Sequence, residues 1–261
     1  MAAGRPGRSA PPAPLRSRAV TVTQKGDPTF HLGVLAFGDS ITNGGGELQW
    51  GVALQSWALW VARALGLPFT SYAVDGARAQ DVVERQIPAF EARTAHPEAR
   101  YELGCLYIGV NDVRAADWEP AGFERDYRAA LAFLLERCEP VLTVTAPLDL
   151  GRPRAGGVRD LTAIVRRVAG DLGALVLDLG EFRGRNLVMA DHVHPTALGQ
   201  IAIAERALTM LEPAGLQIRV RPSTLIAFET TRRGRLRGDV TYAFRAAEGT
   251  VRALLSRLSA S

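Results

Sequence analysis

The stretch "GVLAFGDSITNGGG", residues 33–46, is apolar from Val34 to Phe37 and then stops on Gly38, Asp39 and Ser40. Three glycines, Gly44 to Gly46, follow. A short apolar run bounded by turn residues reads as a strand buried on both faces. The strand ends on a serine, and what that serine does depends on what else the chain brings to the same place.

The pattern repeats along the chain. "PFTSYAV" (68–74), "LGCLYIG" (103–109), "VLTVTA" (141–146) and "ALVLDL" (174–179) are further strand-like runs. Between them lie helix-like stretches at 51–66, 78–94, 123–138 and 159–173, and a last one at 195–211. Gly66 is a plausible stop for the first, and Pro88 is expected to kink or break the second. Strands alternating with helices imply right-handed crossovers and a parallel sheet. The fold class is therefore α/β, a flavodoxin-like three-layer α/β/α sandwich with a five-stranded parallel sheet.

In such sheets the working crevice lies outside the carboxyl ends of the strands. Asp39 and Ser40 follow strand one, Asp75 and Gly76 follow strand two, and Asn111 and Asp112 follow strand three. "ADHVHP" (190–195) follows strand five at a longer distance. All four sets converge on one edge. An isolated Gly-Asp-Ser reads equally well as a turn and a helix cap. A serine becomes a nucleophile only with a base beside it, usually a histidine held by a carboxylate. The chain has four histidines, His31, His96, His192 and His194. Asp191 and His194 are three residues apart and can share a face, whereas His192 should diverge from its neighbour. His194 is thus the expected base. The Ser40 and Gly76 backbone N–H groups and the Asn111 side-chain amide are candidate oxyanion donors.

The blocks "FGDSIT" (37–42), "VDGA" (74–77), "GVND" (109–112) and "DHVHP" (191–195) resemble, in order and spacing, those of the SGNH or GDSL hydrolase superfamily. The resemblance covers about residues 32–211. It implies a serine esterase, with Ser40 as nucleophile, Asp191 and His194 as acid and base, and Gly76 and Asn111 in the oxyanion hole. The chain departs from the family's usual residues at Ser71, Asp75 and Arg78, which bears on substrate charge and removes no catalytic group. Asp39, Trp50, Asp75 and Arg78 are expected around the substrate, while Trp57 and Trp60 fit core spacing. No metal or organic cofactor is implied, and the substrate is a small or acylated molecule. The competing class is a non-catalytic binding module on the same fold.

Charge divides the chain. Residues 1–30 carry a net +4 and residues 213–261 a net +6, so the mildly acidic middle carries −6. That argues against a nucleic-acid-binding domain. The expected layout is a disordered basic tail (1–30), a hydrolase domain (31–212) and a basic C-terminal extension (213–261). No secretory signal or membrane-spanning run is apparent, which makes the cytoplasm the default compartment. Cys105 and Cys138 read as buried free thiols. "GRPRAGG" (151–157) reads as a solvated loop or a mobile rim. The extension places Val240, Phe244, Ala247, Val251, Leu254, Leu255 and Leu258 on one helical face. The expectation is that this face docks on the acidic core; the alternative is an anionic membrane surface or a partner.

Overall fold

The computed structural model describes residues 32–94, 99–151, 155–227, 231–233, 236, 238–244, 247–248 and 251. The N-terminal tail, His31, His96, residues 152–154 of the "GRPRAGG" stretch, and Leu254, Leu255 and Leu258 lie outside the described residues. Five strands, β1 (Val34–Gly38), β2 (Phe69–Ser71), β3 (Leu103–Tyr107), β4 (Val141–Val144) and β5 (Leu175–Leu177), form one sheet in the order β2-β1-β3-β4-β5. Every pairing is parallel. The doubly wound α/β architecture is the one the alternating pattern predicts.

Burial follows position in the sheet. All residues of β1, β3 and β4 are buried, whereas the edge strands β2 and β5 are partly exposed. A strand covered on both faces selects apolar residues at every position, which is why the central three read as continuous runs. Helices α1 (Ser40–Asn43), α2 (Trp57–Leu65), α3 (Ala79–Asp81), α4 (Ile87–Arg93), α5 (Val110–Arg114), α6 (Pro120–Leu135), α7 (Ala155–Leu172) and α8 (Ala197–Leu211) make up the rest. α2 packs on α8, while α6 packs on α3 and α7. These are the two helical layers. Trp57 and Trp60 are buried within the first. On the other side, Phe90 meets Phe37, Tyr72 and Phe133 edge-on at centroid distances of 5.7–6.2 Å, the arrangement aromatic quadrupoles favour. Cys105 and Cys138 are buried free thiols, and burial pushes both thiols up, which leaves them unreactive.

Two local expectations are corrected. The first long helix starts at Trp57 rather than near residue 51, because Ser56 caps it by accepting from the Leu59 N–H. Pro88 does not break the helical segment, which runs from Ala79 to Arg93 through a π-helical turn, Val82–Gln86. Pro88 is the second residue of α4, directly after that turn. Val110 opens α5 directly after β3, so "GVND" enters a short helix.

The packed unit continues past residue 212. The Arg219 and Val220 N–H groups donate to the Ala64 carbonyl, Arg221 pairs with Glu205 and Glu212, and Pro222 is buried. Leu216, Ile218 and Ile226 pack against the core. No helix among the described residues is long and apolar enough to cross a membrane.

Candidate active site

Asp39 caps α1: its carboxylate accepts from the Ile41 N–H at 2.9 Å, which turns the chain at the end of β1. Ser40 is therefore the first residue of α1, where the backbone N–H has no intrahelical acceptor. Its Oγ lies 2.8 Å from His194 Nε2. His194 Nδ1 lies 2.6 Å from Asp191 Oδ2. Asp191 Oδ1 accepts from the Val193 and His194 N–H groups at 2.9 and 3.0 Å, so the carboxylate is held from three sides. Residues predicted from opposite ends of the chain meet in one hydrogen-bonded line.

The electrostatics favour one arrangement of protons. Partial burial disfavours an ionised Asp191, but the His194 ring and the two amides outweigh it and hold the carboxyl below its usual range. The bond to Asp191 raises the His194 imidazole above its ordinary value, against partial burial and with help from the nearby Asp39 and Asp75 charges. An ionised Asp191 accepts from Nδ1–H, which leaves Nε2 to accept from the Ser40 hydroxyl.

The other candidate oxyanion donors are Gly76 and Asn111. Gly76 adopts φ +77° with no heavy atom within 4 Å of where a Cβ would stand, so the loop is exposed and open to a ligand. The Asn111 amide donates one N–H to the Ala77 carbonyl at 2.9 Å. That bond orients the amide and leaves its second N–H available. A pocket of about 120 Å³ adjoins Gly76, bounded by Val74, Asp81, Arg85 and Gln86; Ser40 and His194 are not in its lining.

The remaining candidates divide. Asp75 accepts from Asn43 Nδ2 at 2.9 Å, and Arg78 pairs with Asp117 at 3.0 Å, both at the exposed rim. Trp50 stands half-exposed at φ +52°, in the turn closed by Val52 N–H and the Gln49 carbonyl. Asp39, expected at the substrate, is only 1% exposed and lines no substrate surface. Burial pushes its carboxyl up to about 7, and its Oδ2 has no hydrogen-bond partner. His192 does diverge from Asp191, as expected. It sits at φ +61°, and its ring meets Asp149 Oδ2 at 3.1 Å, which ties the loop after β4 to the His194 loop.

Two buried glutamines escaped the sequence reading. β2 stops opposite Ala36, and beyond it the Gly38 carbonyl accepts from the Val74 N–H at 3.1 Å. Gln86 adds a side-chain pair to the same residue: its Oε1 accepts from the Gly38 N–H at 3.0 Å and its Nε2 donates to the Gly38 carbonyl at 2.8 Å. The π turn presents Gln86 for this role, in keeping with the frequent siting of such turns beside functional groups. Gln200, fully buried on α8, donates to the Ile41 and Gly45 carbonyls and accepts from the Trp57 N–H. It locks the loop after Ser40 to two helices. Each glutamine falls on an apolar stripe, Gln86 between Val82 and Phe90 and Gln200 between Ala197 and Ala204. A polar residue inside such a stripe is the signal that could have found them.

The glycine loop is therefore packed, not free. A Cβ on Gly45 would stand 2.9 Å from the Ser40 carbonyl oxygen, 3.2 Å from Ser40 Cβ and 3.3 Å from His194 Cδ2. Gly45→Ala should lower kcat by about 10- to 100-fold, because a displacement well under 1 Å breaks the Ser40–His194 alignment. Steady-state rates on an aryl ester check this; an unchanged kcat would show that the loop yields elsewhere.

Among solved structures the chain is similar to an acetylxylan esterase from Geobacillus stearothermophilus. The identity is 19% and the TM-score 0.54, over 74% of this chain and 99% of that one. It is also similar to an alpha/beta hydrolase enzyme from the metagenome of Lake Arreo, Spain, at 19% identity and TM-score 0.55, over 72% of this chain and 98% of that one. At these identities the likeness is one of fold. No curated protein matches the chain. The sequence profile of the GDSL-like lipase/acylhydrolase family matches residues 36–202, from within β1 into α8 and across every block that meets at the carboxyl edge, and the chain belongs to that family.

Proposed function

We propose that the protein hydrolyses carboxylic esters through an acyl-enzyme on Ser40. The observation that carries this reading is the 2.8 Å contact between Ser40 Oγ and the imidazole nitrogen left free to accept a proton. His194 takes the hydroxyl proton as Ser40 Oγ attacks the ester carbonyl. Asp191 holds the ring and stabilises the imidazolium that forms. The Ser40 and Gly76 N–H groups and the Asn111 amide receive the oxyanion. His194 then gives its proton to the leaving alcohol, and water repeats the sequence on the acyl-enzyme.

The finer reading is a short acyl group on a hydroxyl-rich alcohol. The pocket beside Gly76 is small, and a long alkyl chain there would desolvate the charged Asp81 and Arg85 without hydrogen-bonding them. The exposed rim carries Asn43, Asp75, Asp117, Asp149 and His192, groups that hydrogen-bond hydroxyls. A chain-length series of aryl esters run beside acetylated sugars tests it. Rates should peak at acetyl to butyryl; a maximum at long acyl chains would reject the short-acyl reading while leaving the serine mechanism intact. Asn111→Ala should lower kcat by about 10²- to 10³-fold, the scale of one lost oxyanion donor. A change confined to KM would mean that Asn111 only binds substrate.

A further inference from the structure

Leu236, Val240, Phe244 and Val251 are 64%, 62%, 71% and 53% exposed. Residues 236, 238–244, 247–248 and 251 are helical. At about 100° per residue, positions 236, 240, 244, 247 and 251 fall within an arc of about 80°. They make one apolar stripe facing solvent. The expectation that this face docks on the chain's own core is not met at any of these residues. The described ion pair between segment and core joins Asp239 to Arg185. That is the segment's acid on a base of the core, the reverse of a basic helix held by acidic partners.

The surroundings of the stripe select its occupant. Residues 232–251 carry Arg232, Arg233, Arg235, Arg237 and Arg245 against Asp239 and Glu248. A nucleic acid would match the charge and leave the stripe in water. A second copy would cover the stripe and bring two sets of arginines together. An anionic bilayer satisfies both features, with the apolar side at the acyl boundary and the guanidinium groups at the phosphates. The segment is also additional to the shared fold. The family profile ends at residue 202, and the solved structures named above are covered to 98% and 99% of their length by 72% and 74% of this chain.

We propose that the segment from residue 232 to 251 is a surface anchor that holds the enzyme on anionic lipid bilayers. The test is co-sedimentation of the full chain with phosphatidylglycerol–phosphatidylcholine vesicles and with pure phosphatidylcholine vesicles. It is repeated with the variant Val240→Glu/Phe244→Glu. Both substitutions are on exposed positions, so folding is not at stake. The intact chain should bind the anionic vesicles and bind neutral ones at least about tenfold more weakly, and the variant should lose at least about tenfold on the anionic vesicles. Salt at about 0.5 M should weaken the binding. Melting temperature, and hydrolysis of a soluble short ester, should be the same in both proteins. Absence of binding to anionic vesicles, or equal binding by the variant, would overturn the proposal. So would a melting temperature several degrees lower in the variant (self-docking), a dimer that the variant dissolves (a second copy), or retention on RNA that the variant leaves unchanged.

Discussion

Ser40→Ala should lower kcat for an aryl ester by on the order of 10⁴- to 10⁶-fold, the scale seen when the nucleophile of a serine hydrolase is removed. The substitution deletes one hydroxyl whose described partner is His194 Nε2, and it keeps the Cβ that packs beside Gly45. Stability should therefore change by no more than about 1 kcal/mol. Labelling by a fluorophosphonate should disappear in the same variant, since the probe needs an activated hydroxyl. The paired measurements are the melting curve and the turnover rate. A well-folded variant that retains a few per cent of activity would remove Ser40 from the nucleophile's role and turn attention to a water-mediated mechanism. A chain that neither hydrolyses esters nor reacts with the probe even as wild type would instead favour a ligand-binding module.

His194→Ala should cost as much as Ser40→Ala, because the serine proton then has no acceptor. His192→Ala should cost less than about tenfold, since its ring faces Asp149 rather than Ser40. The pH profile adds a check that a structural role would not pass. The base works only when neutral, and Asp191 raises its pKa. Activity should therefore rise with pH through a value above 6.5, the ordinary value for the imidazole. Asp191→Asn removes the raising partner, so the same limb should move to lower pH while the maximal rate falls. The linked stability has the opposite sign for the two groups. The raised imidazole stabilises the fold below its unfolded value, and that stabilisation is lost as pH rises through the folded one. The depressed carboxyl contributes above its unfolded value and loses its contribution as pH falls. A limb that stays in place in Asp191→Asn, or a larger loss in His192→Ala than in His194→Ala, would reverse the assignment of the base.

The sheet was legible because burial on both faces leaves a simple record. β1, β3 and β4 read as unbroken apolar runs, and the turn residues after them fell where strand ends put them at one edge. Boundaries were less legible. Leu54 shares the apolar spacing of α2 but precedes Ser56, and only the cap decides where the helix begins. Pro88 signalled a break by its own chemistry, yet a π turn of the preceding residues absorbed it. Asp39 carried the composition of a site residue and is buried as a cap, because a carboxylate at a turn looks the same in sequence whether it faces the ligand or the helix.

Sequence by itself determined the parallel α/β sheet, the order of the site blocks along the chain, and the pairing of Asp191 with His194, because each depends on short-range periodicity or on residues three apart. Only the tertiary structure decided how Ser40 is held. Gln86 reaches back to Gly38 and Gln200 to Gly45 across separations of 48 and 155 residues, and a buried side-chain amide leaves no periodic trace of which backbone group it will satisfy. The same holds for the C-terminal segment. Its spacing showed an apolar face and its composition showed the charge around it, but whether that face meets the core is a question of packing between distant surfaces. At the described residues Leu236, Val240, Phe244 and Val251 it meets water, with Phe244 71% exposed.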